Sequence, residues 1–178
     1  MEPNPTRDRL LDAALKVIGE AGACRMTLDA VAATAEVSKG GLLYHFPDKE
    51  ALLRGLLDRQ LDRRQAWFER AQQEHGPSTS DLTHARVDVI RMPETAPAAL
   101  PILGILALEP KLLARPQAEN ARFLERLRED PARFIPALII SLATTGLIVS
   151  EAMGTIPLTA GEREAVIAEL HRLADLLR

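Results

Sequence analysis

Ser38-Lys39-Gly40-Gly41-Leu42-Leu43-Tyr44-His45-Phe46 is the stretch whose residue types and spacing best suit chemistry with another molecule. Lys39 offers a full positive charge, and Ser38, Tyr44 and His45 offer hydrogen-bonding groups. Gly40 and Gly41 leave the backbone open to close approach. Leu42 and Phe46 lie four residues apart, so one helical face is free to be apolar. Such a mixture suits phosphate oxygens and base edges rather than bond-making. Elsewhere no Ser/His/Asp set, carboxylate pair or phosphate loop stands out, so no catalytic residue is expected and a helical enzyme is disfavoured. His45, His75, His84 and His171 have no ligand spacing, so neither a metal nor a cofactor is expected. Cys24 lies beside Met26 in an apolar stretch and reads as a buried, inert thiol.

Short helices are needed to present that stretch. Residues 6–21 carry Leu10, Leu11, Ala14, Leu15 and Ile18 at helical spacing, with Thr6 as a possible cap. Gly22 stands where a left-handed stop is wanted. Thr27 is placed to cap a helix from Leu28 to about Ala35. Glu36-Val37-Ser38 makes a tight connection, with Val37 inward and Ser38 capping a helix from Lys39 to about His45. Phe46-Pro47-Asp48 ends it. Asp48 caps a long helix that carries Leu52, Leu53, Leu56, Leu57 and Leu61 and runs to about Gln73. Two short helices joined by about four residues, with a buried Val in the turn, are helix-turn-helix geometry, in which the second helix enters a major groove about 12 Å wide. The helix starts at Thr27, Ser38 and Asp48 present free N–H groups suited to phosphate, and Lys49 adds a charge at the third.

Bulk properties set the frame. The 178 residues are 47% apolar and 3% aromatic, rich in Ala, Leu, Arg and Glu, which favours an all-α chain with a sizeable core. Net charge is −3, and neither residues 1–76 nor 77–178 are basic, so any nucleic-acid surface must be a local arrangement with acids turned away. The single cysteine and the lack of a basic-then-apolar leader point to the cytoplasm. The apolar run 134–149 is short for a membrane span and reads as a buried helix, so no membrane partner is expected.

Thr27-Leu28-Asp29-Ala30-Val31-Ala32, followed by Val37-Ser38-Lys39-Gly40-Gly41-Leu42-Leu43-Tyr44-His45-Phe46-Pro47-Asp48-Lys49-Glu50-Ala51-Leu52, resembles the DNA-binding domain of the tetracycline-repressor (TetR) family. The match covers roughly residues 6–57. The resemblance implies an all-helical homodimer that binds a double-stranded DNA operator, with a C-terminal domain for a small-molecule effector that relieves repression. It implies phosphate contact by Thr27 and Lys49, base-facing roles for Lys39, Gly40, Gly41 and Leu43, and backbone packing by Tyr44 and His45. His45 reads equally well as a residue bonded within the fold. Glu36 stands where the family often has Gly, so a left-handed backbone there would cost about 1 kcal/mol. Gly41 and Leu43 replace polar or aromatic residues, leaving base reading to Lys39, which favours guanine, and to apolar contact with thymine methyls.

Gly76-Pro77-Ser78-Thr79-Ser80 is the clearest linker, so residues 1–57 are expected to form the DNA-binding domain, with the fourth helix continuing to about 75, and residues 76–178 the regulatory domain. Further helices are expected near 80–92, 96–108, 110–129, 131–153 and 160–177. The fourth of these is apolar most of the way round, and the last is amphipathic. By resemblance the two build a dimer interface that includes Leu142, Gly146, Val149, Ile167, Leu170 and Ala174; this is favoured over core within one chain, because one small domain cannot easily bury so much apolar surface alone. Met92, Leu103, Leu106, Phe123, Ile139 and Thr145 are candidates to line an effector pocket, or else core, and with few charges there a hydrophobic effector is expected. Trp67-Phe68 reads as core or as the edge of that pocket. The competing function is a small-molecule-binding helical protein whose helix-turn-helix is vestigial.

Overall fold

The computed structural model describes residues 5–93 and 95–178, and every described element is helical. In chain order these are α1 (Pro5–Ala21), α2 (Leu28–Thr34), α3 (Lys39–His45), α4 (Lys49–His75), α5 (Thr79–Asp88), α6 (Thr95–Leu108), α7 (Ala114–Arg128), α8 (Pro131–Met153) and α9 (Ala160–Asp175). Short 3-10 turns precede α6 and α7. The helix from 110 expected by sequence is therefore a turn over Pro110–Leu113 and then α7. Helix α1 begins at Pro5, so Thr6 lies inside its first turn instead of capping it. The expected N-terminal domain includes residues 1–4, which lie outside the described residues.

Two compact units form, one of residues up to Asp62 with Leu100–Leu113, the other of Arg63–Ala99 with Ala114–Arg178. The sequence suggests instead that all residues past 76 form the regulatory half. Residues 100–113 join the first unit because Ile105 and Leu112 are buried in its core and Ile102, Leu106 and Leu108 pack against it. An apolar helix declares that it will be buried, not against what.

The first unit closes around Leu10, Leu11, Ala14, Val31, Leu42, Leu52, Leu53 and Leu56, each with no exposed surface. Phe46 ends α3 and lies beneath α4 at Gly55, where an added Cβ would come within 2.7 Å of its ring. The Arg7 guanidinium covers that ring at 5.3 Å. Arg59, buried on α4, ties α1 down through the Asp8 carbonyl at 3.0 Å and the Asp12 carboxylate at 2.8 Å.

The second unit packs α5 against α7, α8 and α9, and its core includes Leu82, Val87, Leu127, Ala137, Ile140, Ile167 and Ala174. Ser80, also buried, donates to the Ala174 carbonyl at 2.7 Å. Helix α8 starts on the Asp130 cap with Pro131 at its first position and stops at left-handed Gly154. By length and composition α8 is long and apolar enough to cross a membrane, but its Ala137, Ile140, Ser141 and Thr144 face belongs to this core.

Three of the four histidines, far apart in sequence, meet here. His84 stacks against both His75 and His171, with ring centroids 5.1 Å apart in each case. Asp88 takes His75 Nε2 at 2.7 Å and His171 Nε2 at 3.1 Å, while His84 Nε2 faces Asp175 at 3.3 Å. The two Nδ1 atoms of His84 and His171 face one another at 2.8 Å, so one proton must lie between them. Burial, the His171 charge and His75 hold His84 below its usual range against the pull of Asp175. Burial pushes Asp88 up, but the hydrogen bonds from His171 and His75 outweigh it and hold the carboxyl low.

The sign follows from linkage. Above pH 6.5 His84 is neutral folded and unfolded; below it the unfolded chain takes the proton more readily, so stability falls. Asp88 adds stability above its unfolded value of 3.8, and this is lost at lower pH still. Urea unfolding is therefore expected to show wild-type stability dropping from pH 7 to pH 5, with a shallower drop in His84→Gln. Parallel curves would remove His84 as the source.

Candidate nucleic-acid interface

Local chain chemistry builds the helix-turn-helix. Thr27 Oγ1 accepts from the Ala30 N–H at 3.1 Å, Ser38 Oγ from the Gly41 N–H at 3.1 Å and Asp48 Oδ1 from the Ala51 N–H at 2.7 Å. All three expected caps are therefore formed. Between α2 and α3, Glu36 N–H donates to Ala33 O and Val37 N–H to Ala32 O, at 3.1 and 3.0 Å, the paired bonds of a Schellman stop. That stop needs a left-handed residue, and Glu36 supplies it at φ 55, the one non-glycine with positive φ among the described residues. Gly22 ends α1 at φ 84. The turn thus accepts the strain foreseen for Glu36.

Helix α3 is held from below and free above. Leu42 is fully buried and Phe46 nearly so, while Ser38, Lys39, Gly40 and Leu43 are exposed and Gly41 and His45 are half-buried. Tyr44 is 85% exposed, an unusual position for a large aromatic ring unless a partner covers it. His45 meets it edge-on, with centroids 5.1 Å apart.

Three of the cations have partners within the chain. Lys39 Nζ lies 3.0 Å from Asp29 Oδ1 on α2, a pair well exposed on both sides. Lys49 Nζ donates to the carbonyls of Met26 at 2.8 Å and Cys24 at 3.1 Å, clamping the link between α1 and α2. Arg25 is turned back to the Ala21 carbonyl at 2.8 Å. Cys24 itself is exposed, which corrects the expectation of a buried thiol: Ala23 and Met26 take the inward positions of that loop.

In the second unit the outward face of α8 is uncovered. Ile135, Ile139 and Leu142 recur at helical spacing, are 56%, 60% and 62% exposed, and are followed by exposed Gly146 and half-buried Val149. Ile167, Leu170 and Ala174, expected at an interface, are instead sealed in this chain's own core. Helix α9 has one apolar stripe and spends it on α5 and α8; α8 is apolar all round and keeps a second face free.

The residues named for an effector pocket are not brought together. Met92 and Phe123 belong to the second unit, the first buried and the second packed against its core. Leu103 and Leu106 lie in the first unit, Leu103 exposed. Ile139 is on the uncovered α8 face. Thr145 is exposed, with its hydroxyl returned to the Ser141 carbonyl at 3.0 Å. Around Phe123 the structure places Phe68, expected as core or pocket edge, at 6.0 Å edge-on, and the Arg86 guanidinium, which the sequence reading did not single out, at 5.3 Å. The signal for Arg86 is an arginine in the middle of an otherwise buried helix, legible only once α5 is known to be enclosed. A separate cleft of about 300 Å³ is lined by Trp67, Arg70, Ala71, Glu74, Asp88 and Arg91, and by neither Phe123 nor Arg86. Trp67 Nε1 donates to the Asp88 carbonyl beside it at 3.1 Å.

Residues 10–56 match the family model for bacterial regulatory proteins of the tetR family, and residues 80–175 match the tetracyclin repressor-like C-terminal domain. The HTH-type transcriptional regulator UidR of Escherichia coli K12 is 34% identical over 67 residues, 38% of this chain and 34% of that relative. The match thus spans about a third of the curated relative's length. A TetR-like transcriptional regulator from Rhodococcus sp. RHA1 superposes with a TM-score of 0.71 at 20% identity, covering 98% of this chain and 96% of that one. A TerR/AcrR-family regulator from Aquifex aeolicus VF5 gives 0.70 at 17% identity, over 97% and 99% of the two chains. At these identities the superpositions speak for the fold.

Proposed function

Since the chain belongs to the TetR family of DNA-binding transcriptional regulators, we propose that it is a cytoplasmic repressor that binds a palindromic operator as a homodimer and leaves it when a small, largely apolar effector binds. The observation that carries this is α3, with Leu42 and Phe46 locked inside and Lys39 and Tyr44 turned to solvent. Lys39 reads a guanine edge, Gly40 and Gly41 let the backbone approach, and Leu43 meets thymine methyls. Tyr44, His45, Thr27 and Ser38 hold the phosphate backbone. Lys49 stands at the start of α4 while fixing the α1–α2 link, so it offers phosphate what its two carbonyl bonds leave over.

The uncovered stripe Ile135, Ile139, Leu142 and Gly146 pairs with its copy in a second chain, which sets two α3 helices about 34 Å apart. The effector acts only through a difference in affinity for the arrangement that fits DNA and one that does not. Helix α4 carries the chain from one unit into the other and is the element that would transmit that difference.

Gel retardation with the DNA upstream of its own gene, over a salt series, tests the proposal. Specific retardation that weakens steeply with salt is expected. Two observations favour the rival reading, a ligand-binding protein with vestigial DNA contacts: the net charge of −3 and the pairing of Lys39 with Asp29. Retardation no stronger than on unrelated DNA would decide for it.

The Lys39–Asp29 pair has its own consequence. The carboxylate must give up Lys39 before the ammonium reaches a base, and it stays close to the phosphates afterwards. Asp29→Ala is expected to tighten operator binding about 2- to 30-fold, since exposed pairs are worth about 0.2–1 kcal/mol and the change counts in both chains. Weaker binding would mean that Asp29 itself accepts a hydrogen bond from the DNA.

A further inference from the structure

Arg86 is half-buried on α5, and its guanidinium nitrogens keep contact with solvent. Its guanidinium lies over the ring of Phe123 of α7, 5.3 Å from the ring centre. Phe68 of α4 closes on the same ring edge-on. Among the described residues Arg86 makes no ion pair and no hydrogen bond. Its charged neighbour is another cation, Arg64 of α4. Arg64 is itself paired with Glu119 of α7 at 3.2 Å, a carboxylate it shares with Arg115 at 3.1 Å. Burial, with repulsion from Arg64, lowers the Arg86 value to about 10. At neutral pH it is still a cation.

An aromatic ring attracts the charge of a guanidinium but is not a carboxylate, and the five N–H donors, fixed in one plane, keep their capacity for a planar acceptor. A planar fork of donors without an acceptor matches a carboxylate, which takes two parallel hydrogen bonds. The walls beside it, Phe68 and Phe123, are apolar and aromatic. We propose that Arg86, with Arg64 behind it, anchors the acid group of an apolar monocarboxylate whose body lies against Phe68 and Phe123. This rests on the effector reading above and specifies it: the effector is an amphipathic acid, not a neutral hydrophobe.

The test uses straight-chain monocarboxylates of six to twelve carbons, with phenylacetate, each beside its neutral alcohol. Thermal shift and the fluorescence of Trp67, the only tryptophan, are read at pH 7.5 for wild type and Arg86→Met. In the wild type at least one acid is expected to bind at least tenfold more tightly than its alcohol. In Arg86→Met that preference is lost, alcohol binding is kept, and the melting temperature without ligand is unchanged or raised, since an uncompensated cation has been replaced by an apolar side chain. No preference for any acid, or a melting temperature lowered by several degrees in Arg86→Met, overturns the proposal. Release of operator DNA is followed in parallel. Acids and alcohols that release it equally would leave the effector reading standing and remove the anchor. Arg86-dependent acid binding without release would keep the anchor and remove the effector role.

Discussion

Leu142→Arg is expected to leave the chain folded, monomeric and unable to hold its operator at concentrations that saturate the wild type. Leu142 is 62% exposed in the single chain, so its replacement disturbs little within that chain. Its neighbours on the face, Ile135 and Ile139, are equally uncovered. Fully burying such a side chain is worth about 1.5–3 kcal/mol, and a two-fold interface counts each residue twice. Arginine removes that gain in both chains and puts two unpaired charges into the apolar centre, a loss of about 4–6 kcal/mol or 10³- to 10⁴-fold in dimer affinity. Operator binding falls with it, since a monomer reaches one half-site only. Sedimentation equilibrium gives the assembly state and circular dichroism the helix content. A variant that remains a dimer would place the interface elsewhere.

Lys39→Ala is expected to be the most damaging single change on the DNA face that leaves the protein itself intact. Its ion pair with Asp29 is well exposed, so stability should move by no more than about 0.5 kcal/mol. A good contact to a base edge is worth about 1–3 kcal/mol, and two half-sites double it, for a loss of about 30- to 10⁴-fold in specific affinity. Fluorescence anisotropy with operator and with scrambled DNA separates the possible roles. Base reading predicts a large loss on operator and a small one on scrambled sequence. Equal losses on both, with a shallower salt dependence, would make Lys39 a phosphate contact instead.

The helix-turn-helix was legible in the sequence because its determinants are local. Thr27, Ser38 and Asp48 each cap within three residues of themselves, and Gly22 and Glu36 set the backbone at their own positions. Leu42 and Phe46 face inward by spacing alone. What the sequence hid depends on partners far along the chain. The stripe of Ile167, Leu170 and Ala174 announces burial without saying whether the cover is this chain or another. Residues 100–113 are apolar enough for either unit and join the first. His84 and His171 lie 87 positions apart and share one hydrogen bond, which no ligand spacing encodes. Arg86 reads as an ordinary helix arginine until α5 is seen to be enclosed, and only then does its missing counter-ion carry meaning. Cys24 was misplaced for the opposite reason: apolar neighbours two residues away do not fix the direction of a loop side chain.

Hydroxyl-radical footprinting of wild type and Leu142→Arg on the DNA upstream of the gene bears most directly on the claim that two copies of α3 are presented together. The account predicts two symmetric zones of protection on one face of the duplex, about one helical turn apart in wild type, with both lost together in Leu142→Arg. A single zone, or a footprint unchanged by Leu142→Arg, would contradict it.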